Sequence, residues 1–118
     1  MEIIGSRARN QPAPPWALYE DLTLPNRQPK RQWLHLLDDE MAPAVLESEY
    51  PSRVVWSSLW VRRPDAVVQF DLSGGSSGTD LRWTLFTESP LPYESLTGHM
   101  RKRIGTLINA NLRYTYGQ

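Results

Sequence analysis

His35 and His99 are the side chains of this 118-residue chain whose ordinary titration lies near neutral pH. Neither falls in a His-x-x-x-His or His-Glu pattern, so no ready-made metal pair or acid–base pair is written locally. His35 shares a strand face with Trp33 and Leu37; if that face is interior, the imidazole becomes a pocket acid or base. The plainer role for both is structural. Asp38-Asp39-Glu40 with Glu47 and Glu49 forms an acidic cluster, and a hard cation needs several oxygens converging on one point. The triplet fits a solvated turn, and Glu47 and Glu49 fit the outer side of a strand, so no metal site is expected. The glycine-rich stretch from Gly74 to Gly78 lacks the following lysine and helix of a phosphate loop. Arg101-Lys102-Arg103 point to different sides of a helix and have no aromatic platforms beside them, so no nucleic-acid partner is expected. No cofactor is expected either.

The aromatic residues say more. Trp56, Trp60, Phe70, Trp83 and Met100, joined by Ile104, are candidates to line an apolar pocket, the usual design of a small-molecule site. Ser58 and Asn111 are the polar groups most suited to face inward, where a ligand would complete their hydrogen bonds. Core packing is an equally good reading of any single one of them. No residue is assigned a catalytic role.

The totals narrow the class. Thirteen basic and thirteen acidic residues give a formal net charge of zero, which favours neither nucleic acid nor an anionic membrane. Without cysteine there is no disulfide, thiolate zinc site or cysteine nucleophile. The length fits one domain, residues 1–118. Residues 1–10 lack the apolar core of a secretory signal, and no stretch approaches the ~20 apolar residues of a membrane span. A cytoplasmic location is the expectation.

The elements that must position these residues follow from periodicity. Residues 2–9 read as a strand with Ile4, Ser6 and Ala8 on one face and Ile3, Gly5, Arg7 and Arg9 on the other. Residues 15–22 read as a short helix opening on proline, with Trp16, Tyr19 and Leu22 on one side. Residues 24–30 are a connector. Strands are expected over 32–37, 44–50, 53–61, 66–72 and 79–88, the second of these alternating as a half-buried strand does. Arg62-Arg63-Pro64-Asp65 turns the chain. A three-residue loop there sets Trp60 opposite Val68, Ser58 opposite Phe70 and Trp56 opposite Leu72. A two-residue loop sets Leu59 against Phe70 and flips every side chain. From near Tyr93 a long helix closes the chain, with Leu96, Met100, Ile104, Ile108 and Leu112 as its apolar stripe. Gly98 and Gly105 weaken it and lie on nearly one side, where they would allow close approach of the sheet or a partner.

Three stretches carry a family likeness: Arg53-Val54-Val55-Trp56-Ser57-Ser58-Leu59-Trp60, Gly78-Thr79-Asp80-Leu81-Arg82-Trp83-Thr84-Leu85, and Asn111-Leu112-Arg113-Tyr114-Thr115-Tyr116-Gly117-Gln118. With the element order they resemble the START-like, polyketide cyclase/dehydrase and lipid transport superfamily of helix-grip domains (also called SRPBCC, with the pollen allergens). The likeness covers residues 40–118 well and the first 40 loosely. It implies an α+β helix-grip fold: a curved antiparallel sheet of six to seven strands around a long C-terminal helix, with one short N-terminal helix. The family's second short helix has no room in residues 23–30, which implies a reduced clamp, a smaller pocket or a covering homodimer. By function the likeness implies binding of a small hydrophobic or amphipathic molecule between sheet and helix. Some relatives are cyclases or other enzymes, and here His35 or Ser58 would serve such chemistry. Others bind proteins, and a pocket filled by its own tryptophans would favour that role over a container.

Overall fold

The computed structural model describes residues 1–25, 33–75 and 77–116. In chain order these form β1 (Glu2–Gln11), α1 (Pro15–Thr23), β2 (Val45–Glu49), β3 (Arg53–Trp56), β4 (Val67–Gly74), β5 (Thr79–Thr87) and a C-terminal helix. That helix runs as α2 (Glu94–Thr106), a wider π segment (Leu107–Leu112) and a last turn, α3 (Arg113–Thr115). The sheet is antiparallel throughout, in the order β1-β5-β4-β3-β2. No helix is long and apolar enough to cross a membrane among the described residues.

The β4–β5 hairpin is the centre of the sheet, and its alternation decides which face is apolar. Val68, Phe70 and Leu72 oppose Leu85, Trp83 and Leu81, and all six are buried on the helix side. Asp71 opposes Arg82 on the other face. Gly78 closes the hairpin at φ +94°, where a Cβ would sit 2.0 Å from the Gln11 carbonyl oxygen; only glycine fits. β1 then returns along β5, setting Gly5 opposite Leu85, Arg7 opposite Trp83 and Arg9 opposite Leu81, after a bulge between Ile3 and Gly5.

Five strands form, where six to seven were expected. The missing one is residues 32–37. Residue 32, like the connector over 26–32, lies outside the described residues. From Trp33 to Leu37 the chain forms no strand, and Trp33 and Leu34, neighbours in sequence, are both buried. The strand expected over 53–61 stops at Trp56. Ser58, Leu59 and Trp60 are buried consecutively. The Ser58 hydroxyl accepts from the Trp60 N–H at 2.9 Å and donates to the Arg63 carbonyl at 2.7 Å, folding 58–63 into a turn. Pairing is therefore displaced: Val54 opposes Phe70 and Trp56 opposes Val68. The displacement is even, so Val54 and Trp56 keep the apolar face.

Two further expectations change. β2 carries a bulge between Val45 and Glu47, which switches faces mid-strand. Neither alternating set is then buried, and Leu46 is 54% exposed. In α1 the inward side is Ala17, Leu18, Asp21 and Leu22, while Trp16 faces solvent. Trp56 reaches back to the end of α1, its Nε1 donating to the Leu22 carbonyl at 2.7 Å.

The C-terminal helix solves a phase problem. Steps of four residues overshoot a 3.6-residue turn by about 40° each, so an ideal α-helix would wind the stripe round to solvent. The π segment hydrogen-bonds one residue further on and turns less per residue, which pulls Ile108 and Leu112 back onto the sheet. Met100, Ile104, Ile108 and Leu112 are all 0% exposed. The wide turn leaves carbonyls in need of donors, and Gln11 Nε2 donates to that of Ile108 at 3.3 Å.

An ion pair replaces the missing strand as the tie between residues 33–40 and this helix. Arg103 donates to both Glu40 carboxylate oxygens, at 2.8 and 2.9 Å, and to the His35 carbonyl at 2.8 Å. The Leu37 N–H donates to the same carboxylate at 2.8 Å. Burial pushes the Glu40 carboxyl up, but the Arg103 hydrogen bonds, the Leu37 N–H and the nearby positive charge together hold it below its ordinary value. A carboxyl harder to protonate in the fold stabilises the fold fully above the ordinary glutamate range. That share is lost as pH falls through and below the range. Arg103→Met leaves the buried Glu40 carboxylate without its counter-charge and is expected to lower stability by about 3 kcal/mol in urea melts at neutral pH. The loss should shrink on acidification; a variant as stable as the parent at pH 7 would refute the clamp.

Candidate functional site

An opening of about 610 Å³ lies at one side of the grip, between edge strand β1 and the C-terminal helix. Its strand wall is Arg7 and Arg9, on the helix side of β1 because their cross-strand partners are Trp83 and Leu81. Its helix wall is Gly98, Arg101, Lys102 and Gly105, followed by Thr106 and Asn109. Trp83, 3% exposed, is the apolar floor, and its buried Nε1 has no hydrogen-bond partner. Gly98 and Gly105 explain the opening: a Cβ at either would meet nothing within 4 Å. They do not bring the helix onto the sheet, as their spacing had suggested; they leave the helix wall bare. Gly5 is where strand and helix touch, since a Cβ there would lie 2.8 Å from Arg101 Cγ. The Arg101 stem thus crosses β1 at Gly5, and its guanidinium belongs to the mouth of the cleft.

Charge in the cleft is one-sided. Four cations line it, from Arg7, Arg9, Arg101 and Lys102, and no carboxylate does. None of the four is ion-paired among the described residues.

The residues singled out from the sequence fall in different places. Trp56, Ser58, Trp60, Phe70, Met100 and Ile104 are all fully buried. Around them the centre of the grip is filled: Trp33 stacks on Trp56 with ring centroids 6.0 Å apart, and Phe70 meets Trp56 edge-on at 4.7 Å. Ser58 spends its hydroxyl within its own turn. Trp83 lines the large cleft. Asn111 lines a smaller one of about 280 Å³ with Trp33, His35 and Tyr114. His99 borders a third, of about 170 Å³, with Asp39, Arg62 and Tyr93. The two histidines therefore serve separate clefts, and Ser58 has neither beside it. Among the described residues no group of three acidic or histidine side chains could hold a metal ion.

Arg7, Arg9, Arg101 and Lys102 were missed as site residues. The signal was present in β1, where Ile3, Gly5, Arg7 and Arg9 share a face: arginines at two positions where an inward strand face should be apolar. The basic triplet does diverge as its helical spacing requires, with Arg103 turning to Glu40 and Arg101 and Lys102 to the cleft.

An antiparallel sheet holding one long C-terminal helix against a single apolar face defines a helix-grip domain. The chain matches CalU16 from Micromonospora echinospora with a TM-score of 0.69 at 20% identity, over 95% of this chain and 73% of that one. It matches the Aha1 dimer from Colwellia psychrerythraea with a TM-score of 0.70 at 14% identity, over 96% and 94% of the two chains. An AHSA1-like protein from Rhizobium etli gives 0.54 at 22% identity, over 87% and 78%. No protein-family model and no curated protein sequence matches the chain. At these identities the likeness establishes the fold, and it is the fold that the sequence resemblance implied.

Because nothing opposes a side chain at either helix glycine, Gly98→Ala and Gly105→Ala should each raise stability by about 0.8–1 kcal/mol in denaturant melts. A loss at either position would show that the helix lies closer to β1 than the open cleft allows.

Proposed function

We propose that this chain binds a small amphipathic molecule in the cleft between β1 and the C-terminal helix. The observation that carries the reading is the cleft itself: about 610 Å³ held open by Gly98 and Gly105 over the Trp83 ring. Small-molecule sites commonly measure about 300–1,000 Å³. Trp83 supplies an apolar surface, and Thr106 and Asn109 add polar groups from the helix. The ligand sits beside the grip rather than inside it, because the chain's own indoles occupy the centre. A cyclase or dehydratase finds less support, since His35 and Ser58 are not brought together.

The filled centre favours a second reading, a protein-interaction module. Trp16 and Tyr50, 58% and 68% exposed, would belong to such an interface. The Aha1 neighbour is described as a dimer, so a second copy is the partner to test first.

Titration with Nile red, a neutral apolar dye, separates the two. Saturable one-to-one binding is expected, weakened about tenfold or more by Gly105→Leu, whose side chain would occupy the cleft. A folded wild-type protein that binds no dye but sediments as a dimer would replace the first reading with the second.

A further inference from the structure

We infer that the ligand's polar end is an anion, a carboxylate or phosphate group held by Arg7, Arg9, Arg101 and Lys102. The inference rests on the amphipathic-ligand reading above and adds the chemical class of the headgroup. Its basis is the arrangement of charge. The whole chain is neutral, thirteen against thirteen, so four cations around one cleft are a local excess and not the overflow of a basic protein. They come from two elements that face each other, Arg7 and Arg9 from β1 and Arg101 and Lys102 from α2. Cations on opposite walls of one cleft repel, and an anion between them turns that repulsion into attraction. No aspartate or glutamate lines the cleft to do this from within the chain. Elsewhere the fold supplies such partners: Glu40 to Arg103, Asp65 to Arg63, Glu47 to Arg53. Arg62, Arg82 and Arg113 also lack a carboxylate partner among the described residues, but each donates a hydrogen bond, to the Tyr93 hydroxyl, the Ser6 hydroxyl and the Asn10 carbonyl; what sets this cleft apart is four cations on two facing walls.

Trp83, 3% exposed, lines the cleft and gives the cations an apolar neighbour. Arginine suits the headgroup because its planar fork meets carboxylate and phosphate in two hydrogen bonds. The apolar part of the molecule then lies over the indole and along the bare strip from Gly98 to Gly105.

The test compares chains of equal length with different heads. Dodecyl phosphate and dodecanoate, each below its micelle concentration, are titrated against dodecanol by calorimetry. An anionic preference of about tenfold or more is expected, falling as salt is raised. Arg7→Gln with Arg101→Gln should collapse that ratio, while Arg53→Gln, a cation on β3 three strands away from β1, should leave it unchanged; thermal melts check that the variants fold. Equal affinity for the anionic and neutral chains overturns the inference and leaves the amphipathic reading standing. Binding of inorganic phosphate alone, with no binding of any dodecyl chain or of Nile red, overturns the amphipathic reading on which it rests. Binding to vesicles containing anionic phospholipid, but not to the monomeric chains, overturns it in favour of a membrane surface.

Discussion

The structure depends on keeping one side of the last helix against the sheet along its whole length. Leu96, Met100, Ile104, Ile108 and Leu112 are spaced by four without exception, and a regular α-helix cannot hold that spacing on one side. The π segment absorbs the mismatch where it has grown largest, beyond Ile104. Gln11 then becomes essential to the geometry, because it gives a hydrogen bond to the Ile108 carbonyl and touches Asn109 from the end of β1. The same contact fixes how far the edge strand stands from the helix at one end, while Gly5 under Arg101 fixes it at the other. The cleft is what remains between these two points.

Why space remains at the edge and not at the centre is a matter of magnitudes. An empty apolar cavity costs about 24 cal/mol per Å³, so a dry central void of order 100 Å³ would cost roughly 2–3 kcal/mol. A domain of this size has only about 5–15 kcal/mol in total. Filling the centre with Trp33, Trp56 and Phe70 avoids that loss and adds aromatic contacts. An opening at the margin, lined by arginine and threonine, is filled by water at little cost. The placement of the indoles thus moves the available volume sideways.

The sequence conveyed the parts governed by local rules. Period-two alternation located β1, β4 and β5; the proline start located α1; the stripe located the last helix. Val54 and Trp56 keep the face that the three-residue loop would give them, because the observed pairing is displaced from that register by an even number of residues. What failed depended on tertiary contacts. Trp33-Leu34 and Ser58-Leu59-Trp60 have the composition of strands, yet Ser58 spends its hydroxyl closing a turn, and Arg103 ties residues 35–40 to the last helix. The bulge in β2 is equally silent in composition. For the site, the aromatic residues were read as its lining, whereas most became core, and Arg7 and Arg9 were placed on a strand face without a role, whereas they form its strand wall. Whether an arginine faces water or a cleft is set by what its cross-strand partner packs against, and that is a tertiary fact.

The arginines of β1 also have a purely structural explanation. Edge strands expose unpaired backbone groups, and inward-pointing charges are a common way to deter pairing with another chain. Arg7 and Arg9 on the edge strand fit that role. It does not extend to Arg101 and Lys102, which sit on the helix and are not inward-pointing charges of the edge strand. Nor does it explain Gly98 and Gly105, which each cost helix stability and return no contact with the sheet. Edge protection needs charge on one wall; this cleft has charge on both walls and glycine between them. The two roles therefore coexist on β1, but it is the helix wall that distinguishes a guarded edge from a binding site.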